Sequence, residues 1–273
     1  MTDCRPEVVV FTDLDGTLLE RATYSYAPAV PALELLRQRK IPVVFCSAKT
    51  RAEQEVYRDE LSICDPFIVE NGGAIFIDQN YFPFTFDYDK TWGGYLVIEL
   101  GIPYQEIRRL LEKMRSDTGT NFKGFGDMSP GEVAMETGLS LEAAQRAKER
   151  EYDETLKLEG TPKETERVLN AIRDIGLNFT QGGRYYDVMG SNDKGKAVAI
   201  LIKLFERKLG EIMTIGLGDS LNDLPLLSVV DIPILVEKPE GQWEEMILPG
   251  LRRVEGIGPV GWRRAIEDFI EQL

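Results

Sequence analysis

The chain of 273 residues contains no histidine. Serine–histidine–aspartate hydrolases, histidine-nucleophile phosphatases, two-histidine zinc proteases and His-ligated non-haem iron sites are therefore excluded. Acid–base chemistry falls to carboxylates, lysine, tyrosine or cysteine. Positive charge is scarce as well: 32 Lys and Arg against 46 Asp and Glu leave a formal charge of −14. Neither nucleic acid nor an anionic membrane surface is expected as a partner, because both require a basic footprint. An anionic substrate would need a metal ion or a local knot of cations to overcome this field. The three cysteines, Cys4, Cys46 and Cys64, show no CxxC spacing, which predicts buried, reduced thiols and no disulfide framework. No apolar run approaches the ~18 residues of a membrane span. The run Val8–Phe11 is interrupted by Asp13, so it lacks a secretory core, and a cytoplasmic protein is expected.

What is present is a 43% hydrophobic composition in a length at which chains begin to divide into domains. The β-branched run Val8–Thr12 predicts a buried parallel strand. A helix around Pro28–Lys40, a strand at Ile41–Phe45, a helix over Thr50–Leu61 and a strand at Phe67–Glu70 follow, the last ending in the turn Asn71-Gly-Gly73. Strand–helix alternation of this kind predicts a doubly wound parallel sheet. From about Phe82 to Met189 the texture changes. Aromatic and glycine-rich stretches (Tyr95–Leu100, Lys123–Met128, Asn178–Val188) alternate with charged helical patterns at Gln105–Arg115, Leu141–Glu151 and Lys163–Ile175. That pattern predicts an α+β insertion with an antiparallel sheet. The parallel pattern resumes with a helix over Lys194–Lys208, a strand over Ile212–Leu217, a helix over Asp223–Val229 and a strand over Ile234–Val236. The expected division is an α/β core from 1–82 and 190–273, with a domain inserted over 83–189.

Four motifs carry chemistry. Asp13-Leu-Asp15-Gly-Thr17 ends the first strand, where ligands bind in an open α/β sheet. Two carboxylates there suit a hard divalent cation such as Mg²⁺ and offer a nucleophile with an acid–base partner. Gly218-Asp219-Ser220-Leu-Asn222-Asp223 places a second acid pair at another strand end, with helix capping as an additional role for Ser220 or Asn222. In Cys46-Ser47-Ala-Lys49-Thr-Arg51, four residues separate Cys from Arg where cysteine phosphatases have five, and Phe45 replaces their preceding His. The Ser47 hydroxyl is accordingly the better phosphoryl ligand and Cys46 an inert thiol. Gly190–Ala197 misses the P-loop because Ala197 stands where a hydroxyl is required. Lys194 reads instead as a cation at a helix N-terminus, a favourable place for phosphate.

Together these motifs resemble the haloacid dehalogenase superfamily, whose DxD, Ser/Thr, Lys and GDxxND signatures occur here in order as Asp13/Asp15, Ser47, Lys194 and Asp219/Asp223. The insertion is similar to the type II cap of its Cof-like branch. Thr12–Leu19, Ser47–Glu53, Phe67–Gly73, Gly124–Ser129, Ala147–Asp153 and Gly216–Leu227 further resemble the mannosyl-3-phosphoglycerate phosphatase family, over nearly the whole chain.

The resemblance implies a fold and a set of roles. The fold would be a Rossmann-like core with an inserted α+β cap. Asp13 would be the nucleophile and Asp15 the acid–base group, with Ser47 and Lys194 on the phosphoryl oxygens. Mg²⁺ would be held by Asp13, the Asp15 carbonyl and Asp219, with Asp223 completing the acid set and orienting Lys194 or a metal-bound water. The small-molecule substrate would be a phosphorylated glycosyl glycerate, met by Lys49, Arg51, Lys148, Arg150 and Arg184, the last after Gly183. Glu70, Asn71 and Gly72 are candidates for sugar hydroxyls or a plain strand-end turn. Met128 and Ser129 would border the ligand or cap a helix, and Ser220 and Asn222 complete the candidate contacts. Other Cof-like sugar phosphatases and a phosphomannomutase share the core residues; outside enzymes the alternative is an acidic Mg²⁺-binding phosphoreceiver, against which the large insertion and the second acid motif argue.

Overall fold

In the computed structural model, residues 7–239 and 241–272 are described, and Cys4 lies outside them. Strand β1 (Glu7–Thr12) leads to α1 (Val30–Gln38), β2 (Val43–Cys46), α2 (Arg51–Leu61), β3 (Phe67–Val69), β4 (Ala74–Asp78), β5 (Lys90–Trp92) and β6 (Tyr95–Glu99). Then come α3 (Tyr104–Thr118), β7 (Lys123–Gly124), α4 (Pro130–Thr137), α5 (Leu141–Ala147), β8 (Asp153–Lys157), α6 (Pro162–Asp174), β9 (Asn178–Gly182) and β10 (Tyr185–Met189). The chain closes with α7 (Lys194–Leu209), β11 (Ile212–Gly218), α8 (Leu224–Leu227), β12 (Ile232–Glu237), β13 (Arg252–Ile257) and α9 (Pro259–Gln272).

Two sheets result. The larger has the order β13-β12-β11-β1-β2-β3-β4-β6-β5, parallel from β13 to β3 and antiparallel beyond. The smaller, β7-β8-β10-β9, is antiparallel throughout. This is the expected α/β architecture, with a Rossmann-like sheet interrupted by an α+β insertion. Its expected start at residue 83 is corrected. Tyr95–Glu99 pairs antiparallel with Ala74–Asp78, and Lys90–Trp92 pairs with Tyr95–Val97, so both strands extend the large sheet. A hairpin can add to a sheet edge without a crossover, and a period-2 aromatic pattern does not reveal which sheet it joins. The smaller sheet and its helices occupy 104–189.

Both faces of β1 are buried, which accounts for its unbroken apolar run. Val8 and Val10 pack with Leu33 and Leu36 of α1 and with Trp262, Ile266 and Phe269 of α9. Val9 and Phe11 pack with Ala197, Val198, Leu201 and Phe205 of α7. Elements β13 and α9 were absent from the sequence reading, as was α4. The helix expected over Leu141–Glu151 stops at Ala147, because alternation takes over at β8. In the small sheet, Leu156 and Val188 face α3 and α6, so Thr155 and Asp187, which are cross-strand partners, face the other way. Among the described residues no helix is long and apolar enough to cross a membrane. Cys46 is buried as expected, whereas Cys64 is exposed in the turn before β3, a correction, since α2 ends at Leu61 and leaves this connection at the surface.

The parallel register aligns the strand ends that carry chemistry. Thr12 pairs with Leu217 on one side and with Phe45 on the other, so the residues following β1, β2 and β11 emerge at one edge. Helix α9 supports that edge from below. The indole of Trp262, fully buried, donates to Thr12 Oγ1 at 2.9 Å, one residue before Asp13. Trp262→Ala should therefore cost about 3–5 kcal/mol of stability, measured by urea denaturation followed by tryptophan fluorescence and circular dichroism. A loss below about 1 kcal/mol would show that α9 is dispensable to the sheet.

Candidate active site

Asp13, Asp219 and Asp223 converge, each offering a carboxylate oxygen within 4.8 Å of the others, and all three are buried. Lys194 stands among them with its ammonium 2.6 Å from Asp13 Oδ1 and 2.6 Å from Asp223 Oδ1. Its position follows from local structure. Asp193 caps α7 by accepting from Lys196 N at 2.8 Å, so Lys194 is the first helical residue. Gly72, at φ +86°, lies so close that a Cβ there would meet Asp193 O at 2.1 Å. Gly72 is thus the seat of the α7 N-terminus, not a ligand contact.

Burial and the neighbouring Asp223 push the Asp13 carboxyl up to about 8, against the pull of Lys194. Asp219 is likewise raised, by burial and then by Asp223. Burial favours the neutral form of Lys194, but Asp13 and Asp223 outweigh it and hold the ammonium protonated. Three hard oxygen donors crowded out of water, with charge in excess of their protein cations, form a donor set that fits a divalent cation. Asp223 is the most committed of them. Besides Lys194 it accepts from the amides of Asp219 and Ser220 at 3.0 and 3.1 Å, which shapes the acid loop. Ser220 Oγ donates to Asp219 Oδ1 at 2.7 Å.

A cavity of about 150 Å³ opens beside this cluster, between the strand ends and the small sheet. Asp13, Asp15, Ser47, Lys49, Arg150, Ser220 and Asn222 line it from the expected set. Asp15 Oδ2 lies 3.0 Å from Lys49 Nζ, while its Oδ1 has no hydrogen-bond partner among the described residues. Lys49 is buried against Asp15, Glu53 and the Tyr24 ring. Ser47 is buried at the end of β2. Cys46 is driven upward by burial, as an inert thiol should be.

Several other expected contacts lie elsewhere. Arg51 bridges Glu55 and Glu151 and stacks on Trp92. Lys148 donates to the Phe125 carbonyl. Met128 belongs to an apolar cluster with Phe125, Val133 and Ala144, and Ser129 forms a capping box with Glu132. Arg184 turns outward, its guanidinium donating to Glu136 O at 2.6 Å and lying over Tyr185. Gly183 occupies the β9–β10 turn at φ +68°.

Glu70 is buried and accepts from the amides of Glu151, Tyr152 and Asp153 at 2.6–3.0 Å. Its oxygens are spent on the small-sheet lobe, not on a sugar. Asn71, at φ +54°, donates to Asp187 at 3.1 Å and Asp153 at 3.3 Å and accepts from Asn222 at 3.3 Å. Arg150 pairs with Asp153 and donates to Ala48 O at 2.7 Å. These bonds join the two sheets across the cavity wall.

The sequence reading missed Arg21, Tyr24, Glu53, Thr155, Tyr185 and Asp187, all of which line the cavity. Thr155 and Asp187 were legible in principle as the polar half of an alternating pattern opposite Leu156 and Val188. Arg21 had no signal beyond its proximity to the first acid motif.

A sequence profile described as haloacid dehalogenase-like hydrolase matches residues 10–88 and 139–240. The chain belongs to that family. A Methanococcoides burtonii protein named glucosyl-3-phosphoglycerate/mannosyl-3-phosphoglycerate phosphatase is 51% identical over 263 residues, covering 96% of this chain and 97% of its own. A Persephonella marina protein of the same name is 40% identical over 268 residues, covering 97% and 98%. Among solved structures, a subclass IIB sugar phosphatase of the superfamily superposes with a TM-score of 0.63 at 19% identity, covering 96% of this chain and 98% of its own, a likeness of fold. With relatives of this identity along its length, this hydrolase is an enzyme of the phosphoric monoester class.

Two outcomes follow from the geometry. Glu70→Ala strands three amides, two of them buried and each of these costing about 1–3 kcal/mol, so stability should fall by on the order of 3 kcal/mol in urea denaturation; an unchanged midpoint would return Glu70 to a ligand role. The second concerns Asp13. In the metal-free protein the folded state keeps a proton on this carboxyl up to about pH 8, whereas the unfolded chain releases it near 3.8. Its contribution to stability therefore falls as pH rises across that window. A divalent cation must displace that proton, so affinity should climb with pH until about 8 and level off above. Titration calorimetry in buffers of different ionisation heat reads the released proton, and Asp13→Asn should flatten the profile.

Proposed function

We propose that this enzyme hydrolyses the phosphomonoester of glucosyl- or mannosyl-3-phosphoglycerate, releasing the glycosylglycerate and phosphate through an aspartyl-phosphate. The observation that carries the reading is the convergence of Asp13, Lys194, Asp219 and Asp223 at one strand edge, in a chain 51% identical to a phosphatase named for those substrates. Asp13, Asp219 and the backbone around Asp15 would hold Mg²⁺, which when bound neutralises charge on the phosphoryl group. Every other step belongs to the chain.

An Asp13 oxygen attacks phosphorus in line, and the bond from phosphorus to the glycerate oxygen breaks. Asp15 delivers a proton to the departing oxygen, and its unpartnered Oδ1 supports that assignment. Asp15 then takes a proton from the water that cleaves the aspartyl-phosphate, which releases phosphate and regenerates Asp13. Lys194 and Ser47 bind the equatorial oxygens. Lys194 is pre-positioned by Asp223, so charge stabilisation needs no reorganisation at the moment of reaction. Lys49 keeps Asp15 in register for both proton transfers.

Phosphate release should be measured for both glycosyl phosphoglycerates beside mannose 1-phosphate, glucose 6-phosphate and sucrose 6-phosphate, with Mg²⁺ and with EDTA. The glycosyl phosphoglycerates are expected to be turned over fastest, and EDTA should abolish release. Asp13→Asn should reduce kcat by about 10³-fold or more and abolish acid-stable label on the protein from a ³²P-labelled substrate. A higher kcat/KM for a simple sugar phosphate would move the substrate assignment, and full activity in Asp13→Asn would overturn the mechanism.

A further inference from the structure

The proposed substrate carries a second anion, the glycerate carboxylate, and a chain at −14 must meet it with a cation that still has hydrogen-bond donors to offer. Three cations line the cavity among the described residues: Arg21, Lys49 and Arg150. Lys49 is buried and shared between Asp15 and Glu53. All three nitrogens of Arg150 are used, on Asp153, Ala147 O and Ala48 O. Arg21 differs. Its side chain is 39% exposed, and its one hydrogen-bond partner among the described residues is Asp219 Oδ2, through Nη2.

Nη1 of Arg21 faces the small-sheet lobe. The ideal Cβ position of Gly183 lies 2.7 Å from Arg21 Nη1, so the β9–β10 turn closes directly over the guanidinium, and any larger residue at this φ +68° position would collide with it. The segment bearing Arg21 is itself folded into a compact loop after β1 by Gly16 N to Leu19 O at 2.8 Å and Glu20 N to Ser25 O at 2.9 Å. Arg21 therefore stands at the seam of the two lobes, next to the reacting aspartates, with planar donors unspent.

We propose that Arg21 is the specificity-determining residue that binds the substrate's carboxylate, in the role the sequence suggested for Arg184. This rests on the substrate class proposed above. A guanidinium fork matches a carboxylate bidentately. Anchored on Asp219 and covered by the Gly183 turn, it fixes the distance between the phosphorus site and the second anion. Arg184, bound to Glu136 O, holds the turn that roofs Arg21.

The test compares two substrates in wild type, Arg21→Gln and Arg21→Lys: glucosyl-3-phosphoglycerate, and p-nitrophenyl phosphate, which has no carboxylate. Arg21→Gln should lower kcat/KM for the phosphoglycerate ester at least about tenfold more than for p-nitrophenyl phosphate, chiefly through KM, as expected for loss of a charge-assisted pair. Arg21→Lys, which keeps the charge without the fork, should fall between. Mg²⁺ affinity by calorimetry should not weaken in Arg21→Gln, because removing a cation from Asp219 favours the metal. Equal losses on both substrates, or weakened Mg²⁺ binding, would make Arg21 a support for Asp219 and overturn the proposal. Wild-type protein that hydrolyses p-nitrophenyl phosphate but neither glycosyl phosphoglycerate would instead overturn the substrate reading, and the role of Arg21 with it.

Discussion

A lysine without exposed surface, clasped by two buried carboxylates, organises this enzyme. Lys194 draws together the end of β1 through Asp13, the acid loop after β11 through Asp223 and the N-terminus of α7 to which it belongs. Burying such charges is costly, and their mutual attraction repays the cost only when geometry and remaining hydrogen bonds are satisfied. Asp223 meets that condition with two loop amides. The Asp13 carboxylate accepts from Lys194, and burial followed by the neighbouring Asp223 raises its titration.

The second sheet is tied to this centre by polar contacts and by Tyr152, which packs into the apolar core of the large sheet. Glu70 gathers three amides from the chain leading into β8, Glu151 to Asp153, and Asn71 reaches Asp153 and Asp187. Both residues adopt left-handed backbone conformations, so the turn after β3 is specialised for directing side chains at the opposite lobe. Each lobe has its own apolar clusters. An interface built mainly from hydrogen bonds can open and re-form without exposing a large apolar surface, which suits a cavity that must admit a polar substrate.

The charge of the chain acquires a spatial meaning. A net −14 does not prevent recognition of an anion, because cations are concentrated where the lobes meet: Lys49, Arg150, Lys194 and Arg21. All four are paired with internal carboxylates, and the most buried of them act by placing other groups. The absence of histidine is equally intelligible, because in the proposed mechanism nucleophile, proton carrier and cation ligands are all aspartates; burial and neighbouring charge raise the titration of Asp13 and Asp219.

Sequence alone determined the α/β class, the interrupted arrangement and the reactive edge, because each depends on local physics. Period-2 and period-3.6 apolar patterns report burial directly, and acids following a buried strand can only emerge at its carboxyl end. Asp13, Asp15, Asp219 and Asp223 were legible for that reason, Ser47 by its place just after β2 and Lys194 by its place at a helix N-terminus. Only the tertiary structure decided which cations reach the cavity. Arg184 and Arg51 looked suitable and Arg21 did not stand out, yet Glu136, Glu55 and Glu151 hold the first two away. It also decided that Glu70 and Gly72 join elements instead of binding ligand, and that Tyr95–Glu99 extends the large sheet. A side chain's partner and a strand's neighbour are long-range properties, set by how distant segments pack, and no window of sequence contains them.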